Sequence, residues 1–149
     1  MWDYPRPPRV EPSRRAVRVE FAGRVIAGSR RTLRVLETAG APCYYVPPRD
    51  VRWEVLRPAR GSTICEWKGS ASYVDVVVGD QVAAAAAWTY RYPNPGYEAI
   101  ADHVAFYPQQ VRCYLGDEAV RPQPGTYYGG WVTDDVVGPF KGEAGTEGW

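Results

Sequence analysis

Apolar and polar residues alternate along most of this chain with a period of two, the signature of half-buried strands rather than helices. Val17, Val19 and Phe21 alternate with Arg18 and Glu20, and after the turn signal Ala22-Gly23-Arg24 the run Val25-Ile26-Ala27 completes a hairpin. Leu33, Val35 and Thr38 fit a strand, while Leu33, Leu36 and Glu37 fit one helical turn; the strand is preferred. Cys43-Tyr44-Tyr45-Val46 is short, aromatic and β-branched, hence strand, and Pro47 and Pro48 stiffen the turn that follows. Trp53, Val55 and Leu56 predict another strand, broken at Pro58-Ala59-Arg60-Gly61. From Tyr73 to Val78 both faces are largely apolar, which predicts a central strand.

Ala83 to Ala87 has strong helix propensity taken alone. The Gly79-Asp80 turn before it and Trp88-Thr89-Tyr90 after it make a hairpin partner the better reading, with alanines letting another layer approach closely. Glu98 to Asp102 predicts a single helical turn, His103 to Tyr107 a strand, and Val111 to Val120 a last hairpin about Gly116-Asp117-Glu118. Prolines at 5, 7, 8 and 12 make residues 1–13 an extended arm, and from Pro122 onward glycine and proline predict an irregular tail. The expected organisation is an arm (1–13), an all-β, mainly antiparallel domain with little helix (14–121), and a Gly/Pro-rich extension (122–149).

Composition narrows the function more than it defines it. With 149 residues, 45% of them hydrophobic, one domain with a real core is expected. Eighteen basic against 17 acidic residues give a net charge of +1, and a pI near 7.7 lacks the concentrated basic face that nucleic-acid binding needs. The start, Trp2-Asp3-Tyr4-Pro5, is polar and proline-rich, and the apolar run Val82 to Trp88 is too short to span a bilayer, so neither a secretory signal nor a membrane partner is expected. Cys43, Cys65 and Cys113 are odd in number and widely separated, which points to reduced cytoplasmic thiols. With one histidine and no Cys-x-x-Cys pair, no metal is expected, and no cofactor is implied.

The densest chemistry lies in Ser62 to Tyr73, where a thiol, a carboxylate, an indole, an amine and a phenol share a short loop and strand start. Cys65, Lys68 and Glu66 are the candidate catalytic residues: a nearby ammonium lowers a thiol pKa, yet a nucleophilic thiol also wants a base, and His103, the sole imidazole, has nothing to place it nearby. A packed cysteine is the better reading. Glu66 with Asp75 or Asp50 could form an acid/base pair, although Arg49-Asp50 reads first as an ion pair at a turn, and His103 beside Asp102 as a surface or capping residue. Trp67, Tyr73, Trp88 and Tyr45 form either an aromatic wall for a ligand or a tryptophan-rich core, while Lys68 and Arg49 are candidate anchors for an anionic or carbonyl group.

Five blocks in their order along residues 10 to 120 resemble a mainly bacterial family known as domain of unknown function 427. They are Val10-Glu11-Pro12-Ser13, Tyr44 to Val51, Cys65 to Tyr73, Ala86 to Tyr90, and Ile100 to Tyr107. Gly138-Pro139-Phe140-Lys141-Gly142 resembles an extension present in some members. The resemblance implies a β-tent fold, two antiparallel sheets pinned at one edge and open at the other. Relatives of that fold often carry zinc, but the paired cysteines of their site are absent here. The family has been labelled a nucleotidyltransferase; this chain shows no Gly-Ser with a downstream acidic pair, so that activity is not carried over. Glu66 stands where the family often has proline, and Pro48 where it often has an acid.

The expectation is therefore a cytoplasmic domain that binds a small molecule of unknown identity in an aromatic pocket. The alternatives are a homodimeric interaction module and a thiol-dependent enzyme using Cys65.

Overall fold

The computed structural model describes residues 8–37, 40–65, 67–124 and 129–136. Within them the chain is all-β and antiparallel, and its only helical pieces are three single 3-10 turns, Pro48–Asp50, Trp53–Val55 and Glu98–Ile100. Strands run as β1 (Arg9–Ser13), β2 (Val17–Phe21), β3 (Arg24–Ser29), β4 (Thr32–Leu36), β5 (Cys43–Val46), β6 (Leu56–Cys65) and β7 (Gly69–Val78). They continue as β8 (Gln81–Thr89), β9 (Val104–Phe106), β10 (Arg112–Leu115), β11 (Glu118–Ala119), β12 (Arg121–Pro122) and β13 (Trp131–Val132). A seven-stranded sheet has the order β1-β4-β5-β9-β8-β7-β6, and a four-stranded sheet the order β11-β10-β2-β3. The two meet where β3 touches the turn after β5: Ala27 bridges Val51, and the Arg52 amide donates to the Ile26 carbonyl at 2.9 Å. This is the pinned pair of sheets that the family resemblance implies.

Side-chain alternation divides the large sheet into two apolar faces. Tyr44, Val46, Val74, Val76, Val104 and Phe106 face the small sheet and pack with Val17, Val19, Ile26 and Leu115 in the main core. Residues of the other parity, Tyr45, Ala71, Trp88 and Ala105, form a second cluster on the opposite face with Val35, Tyr90, Tyr97 and Ile100. The alanines of β8 belong to this two-sided packing. Ala87 lies opposite Phe106 on one face and Trp88 opposite Ala105 on the other, so large and small residues alternate across the strand pair. A β-bulge between Val74 and Val76 is closed by Asp75, whose Oδ1 accepts the Ala85 amide at 2.7 Å.

Five sequence expectations need correction. The last five residues of the expected arm form β1, paired with β4; Pro12 is tolerated because β1 is a sheet edge. Trp53 to Val55 is a 3-10 turn, and the expected break at Pro58 to Gly61 is a bulged stretch inside the long edge strand β6, so Ser62 to Cys65 is strand rather than loop. The expected tail returns to the domain: β13 pairs with β12, and Trp131 is 1% exposed against Tyr44. Asp50 pairs with Arg31 at 2.8 Å and with Ser29 at 2.6 Å, not with its neighbour Arg49, since Arg31 reaches it bidentately from the β3–β4 turn. Among the described residues no helix is long and apolar enough to cross a membrane.

Candidate functional site

The second face of the large sheet holds a row of residues in cross-strand register: Leu33 on β4, Tyr45 on β5, Ala105 on β9, Trp88 on β8 and Tyr73 on β7. Placing an alanine between Tyr45 and Trp88 lets the two rings meet edge to face at 6.1 Å, and the Trp88 indole N–H donates to Tyr45 Oη at 3.1 Å. Tyr107 lies against Trp88 at 4.5 Å, and Tyr73 Oη donates to Thr63 Oγ1 at 3.3 Å. A cavity of about 340 Å³ opens above this row, bounded by Trp88, Tyr90, Tyr73, Tyr107, Cys43 and Cys65 among others. Its size falls in the usual range for small-molecule sites, about 300–1,000 Å³.

Lys68 supplies the cavity's charge. The hairpin between β6 and β7 turns so tightly that the Lys68 amide donates to Cys65 Sγ at 3.5 Å, and Gly69 adopts a positive φ of 115° to start β7. A side chain at Gly69 would stand 3.3 Å from the Asn94 amide nitrogen, which itself donates to the Lys68 carbonyl at 2.8 Å. The lysine is thus turned inward, with its side chain only 8% exposed. It forms an ion pair with Glu37, just past β4, and its ammonium lies 5.9 Å from the Tyr90 ring centre. Burial alone would lower the Lys68 pKa, but the surrounding acids (Tyr45, Glu37, Tyr90 and Cys43) reverse this and raise it. The Glu37 carboxylate, which forms the ion pair, acts as the counterion.

The neighbouring acids shift upward for a common reason. Burial pushes the Cys43 thiol to about 12, against the pull of the Lys68 ammonium, and raises the Tyr45 and Tyr90 phenols as well. Cys43 is therefore a thiol, not a thiolate, at physiological pH.

Of the sequence candidates, Lys68, Cys65, Tyr73 and Trp88 line the cavity, and Tyr45 lies beneath it, fully buried and holding Trp88. Trp67 points elsewhere, 43% exposed, and borders a shallower depression with Pro8, Val10, Pro95 and Tyr97. Arg49 is exposed on the 3-10 turn after β5, away from the cavity. Glu66 lies outside the described residues, as do Thr38 and the 138–142 run. His103 donates from Nδ1 to the Ala101 carbonyl at 3.1 Å and does not line the cavity. Among the described residues no group of three or more His, Cys, Asp or Glu side chains is arranged to hold a metal ion.

The sequence reasoning passed over Glu37, Cys43, Tyr90, Tyr107, Gly129 and Gly130 as lining residues. Strand parity was a usable signal for two of them. Cys43 shares a face with Tyr45, and Tyr90 continues the parity of Trp88. No local pattern ties Glu37 or the two glycines to the cavity.

The family model described as a domain of unknown function (DUF427) matches residues 9–117. The chain belongs to the DUF427 family. The matched span carries both sheets through β10, together with Glu37, Lys68 and the aromatic row. It ends before Gln123, Gly129 and Gly130, so the cavity's remaining edge comes from chain beyond the DUF427 match. A search of curated proteins gave no match.

Proposed function

We propose that this DUF427 protein binds a small molecule in the cavity on the second face of its large sheet. One observation carries the reading: a cavity of about 340 Å³ with an aromatic floor holds a charged lysine whose side chain is 8% exposed. A buried ammonium is costly, and a fold that needed only stability would be served as well by an apolar residue there. Retained in a cavity, such a group fixes the orientation of a bound molecule, while Trp88 and Tyr90 supply flat apolar contact. The lysine serves as an anchor.

A thiol-dependent reaction is less well supported. The cavity's carboxylate, Glu37, is engaged with Lys68, and the imidazole of His103 does not line the cavity. Native mass spectrometry of protein purified gently from its own host, beside a denatured sample, tests the proposal. A reproducible added mass, lost on denaturation and absent from folded Lys68→Met, is expected. A bare wild-type mass from every preparation would contradict it for tight ligands, and an unchanged adduct on Lys68→Met would exclude this cavity.

A further inference from the structure

Resting on that reading of the cavity, we propose that its ligand is an uncharged molecule presenting a hydrogen-bond donor and acceptor side by side, a carboxamide-like edge on a flat apolar body. The Lys68–Glu37 pair is the polar centre of the cavity, and it is electrically balanced. Lys68 carries three N–H donors, of which the pair uses one, while a carboxylate accepts at two oxygens. The site thus offers donor and acceptor together.

A monoanion could use Lys68, but it would bring a second negative charge against Glu37. Displacing Glu37 would instead strip the buried ammonium of its counterion. A monocation meets the mirror-image objection from Lys68. A zwitterion would match both charges, yet it must surrender the hydration of two ions to do so. An amide edge satisfies both partners at the lowest desolvation cost, and its planar body suits the aromatic lining that Trp88 and Tyr90 supply.

The test uses benzamide, benzoate and benzylammonium as matched probes, titrated against the full chain while the Trp88 indole N–H resonance is followed by NMR. In wild type, benzamide should bind at least about tenfold more tightly than either charged probe, the size expected for one uncompensated like-charge contact. In Glu37→Gln the ammonium is unpaired, and benzoate should overtake benzamide. Wild type that takes benzoate as well as benzamide would overturn the proposed ligand class while leaving the cavity reading intact. No response to any of the three probes would overturn both. If Glu37→Gln does not fold, the wild-type order alone decides.

Discussion

Glu37→Gln and Lys68→Met remove opposite ends of one ion pair, and their costs should be unequal. The Lys68 side chain is 8% exposed and that of Glu37 34%. Without the carboxylate, the ammonium stays buried beside phenols that are uncharged at neutral pH, and must remain uncompensated or lose its proton. Breaking a fully buried pair costs about 3–5 kcal/mol; because the Glu37 end already reaches water, about 2–4 kcal/mol is expected for Glu37→Gln. On a chain of this size that lowers Tm by about 6–12 °C. Lys68→Met replaces the alkyl stem with one of similar volume and frees the carboxylate toward solvent, so its cost should stay within about 1 kcal/mol. Urea titrations of both variants, folded-state circular dichroism alongside, read the difference. Lys68→Met costing as much as Glu37→Gln would refute a lysine that is buried and a carboxylate that holds it charged.

The pH dependence of the same pair has a defined sign. A raised Lys68 pKa means that the native state holds the proton more tightly than the unfolded chain. The stability this gives is fully present below the unfolded value of about 10.4 and is lost as pH rises through the folded value. In Glu37→Gln one of the groups that raise the folded pKa is gone while burial remains, so the folded pKa lies below that of wild type. The variant then has less of this stability to lose as pH rises. The stability gap between wild type and Glu37→Gln should therefore narrow on the alkaline side. A gap that widens would contradict the assignment. Shared titrations, such as those of the buried phenols, cancel in the difference.

Three further outcomes are expected. Gly129→Ala would drive a methyl into Trp88 Cη2, a ring held by its bond to Tyr45, so a loss of about 1–3 kcal/mol and a shifted Trp88 N–H resonance should appear; an unaltered spectrum would mean that this segment does not pack on Trp88. Trp131→Ala should cost about 3–5 kcal/mol in thermal or urea unfolding, since its ring packs on Tyr44 and its N–H donates to the Phe106 carbonyl at 3.0 Å; a negligible effect would return the segment after Pro122 to the status of a dispensable tail. Alkylation at pH 8, followed by peptide mapping, should modify Cys65 well before Cys43, whose thiol is pushed to about 12, and before buried Cys113; the reverse order would show that Cys43 is not packed as described.

Period-two alternation made the strands legible, including the alanine-rich β8, where the Gly79-Asp80 turn and flanking aromatics outweighed helix propensity. What local pattern could not show was pairing. Pro12 argued against a ladder until β1 proved to be an edge strand, and Gly61 suggested a break where β6 bulges and continues. The site was legible to the same extent. Lys68, Tyr73 and Trp88 stood out by residue type; the β6–β7 hairpin carries Lys68 and Tyr73, and the β7–β8 pairing sets Trp88 opposite Tyr73. Trp67 and Arg49 were equally conspicuous in sequence but do not line the cavity: Trp67 turns away from its neighbour Lys68, and Arg49 lies on the separate 3-10 turn after β5. Glu37, the residue that sets the cavity's charge, has no sequence signature; its role arises from long-range packing of the β4 end against the β6–β7 hairpin.

The central claim is best tested by a crystal structure of the protein purified from its own host without added ligand. The account predicts electron density for a flat molecule against Trp88 and Tyr90, with polar atoms within hydrogen-bond distance of Lys68 Nζ and the Glu37 carboxylate. A cavity filled by ordered water alone, or a bound molecule in the Trp67 depression with this cavity closed, would contradict it.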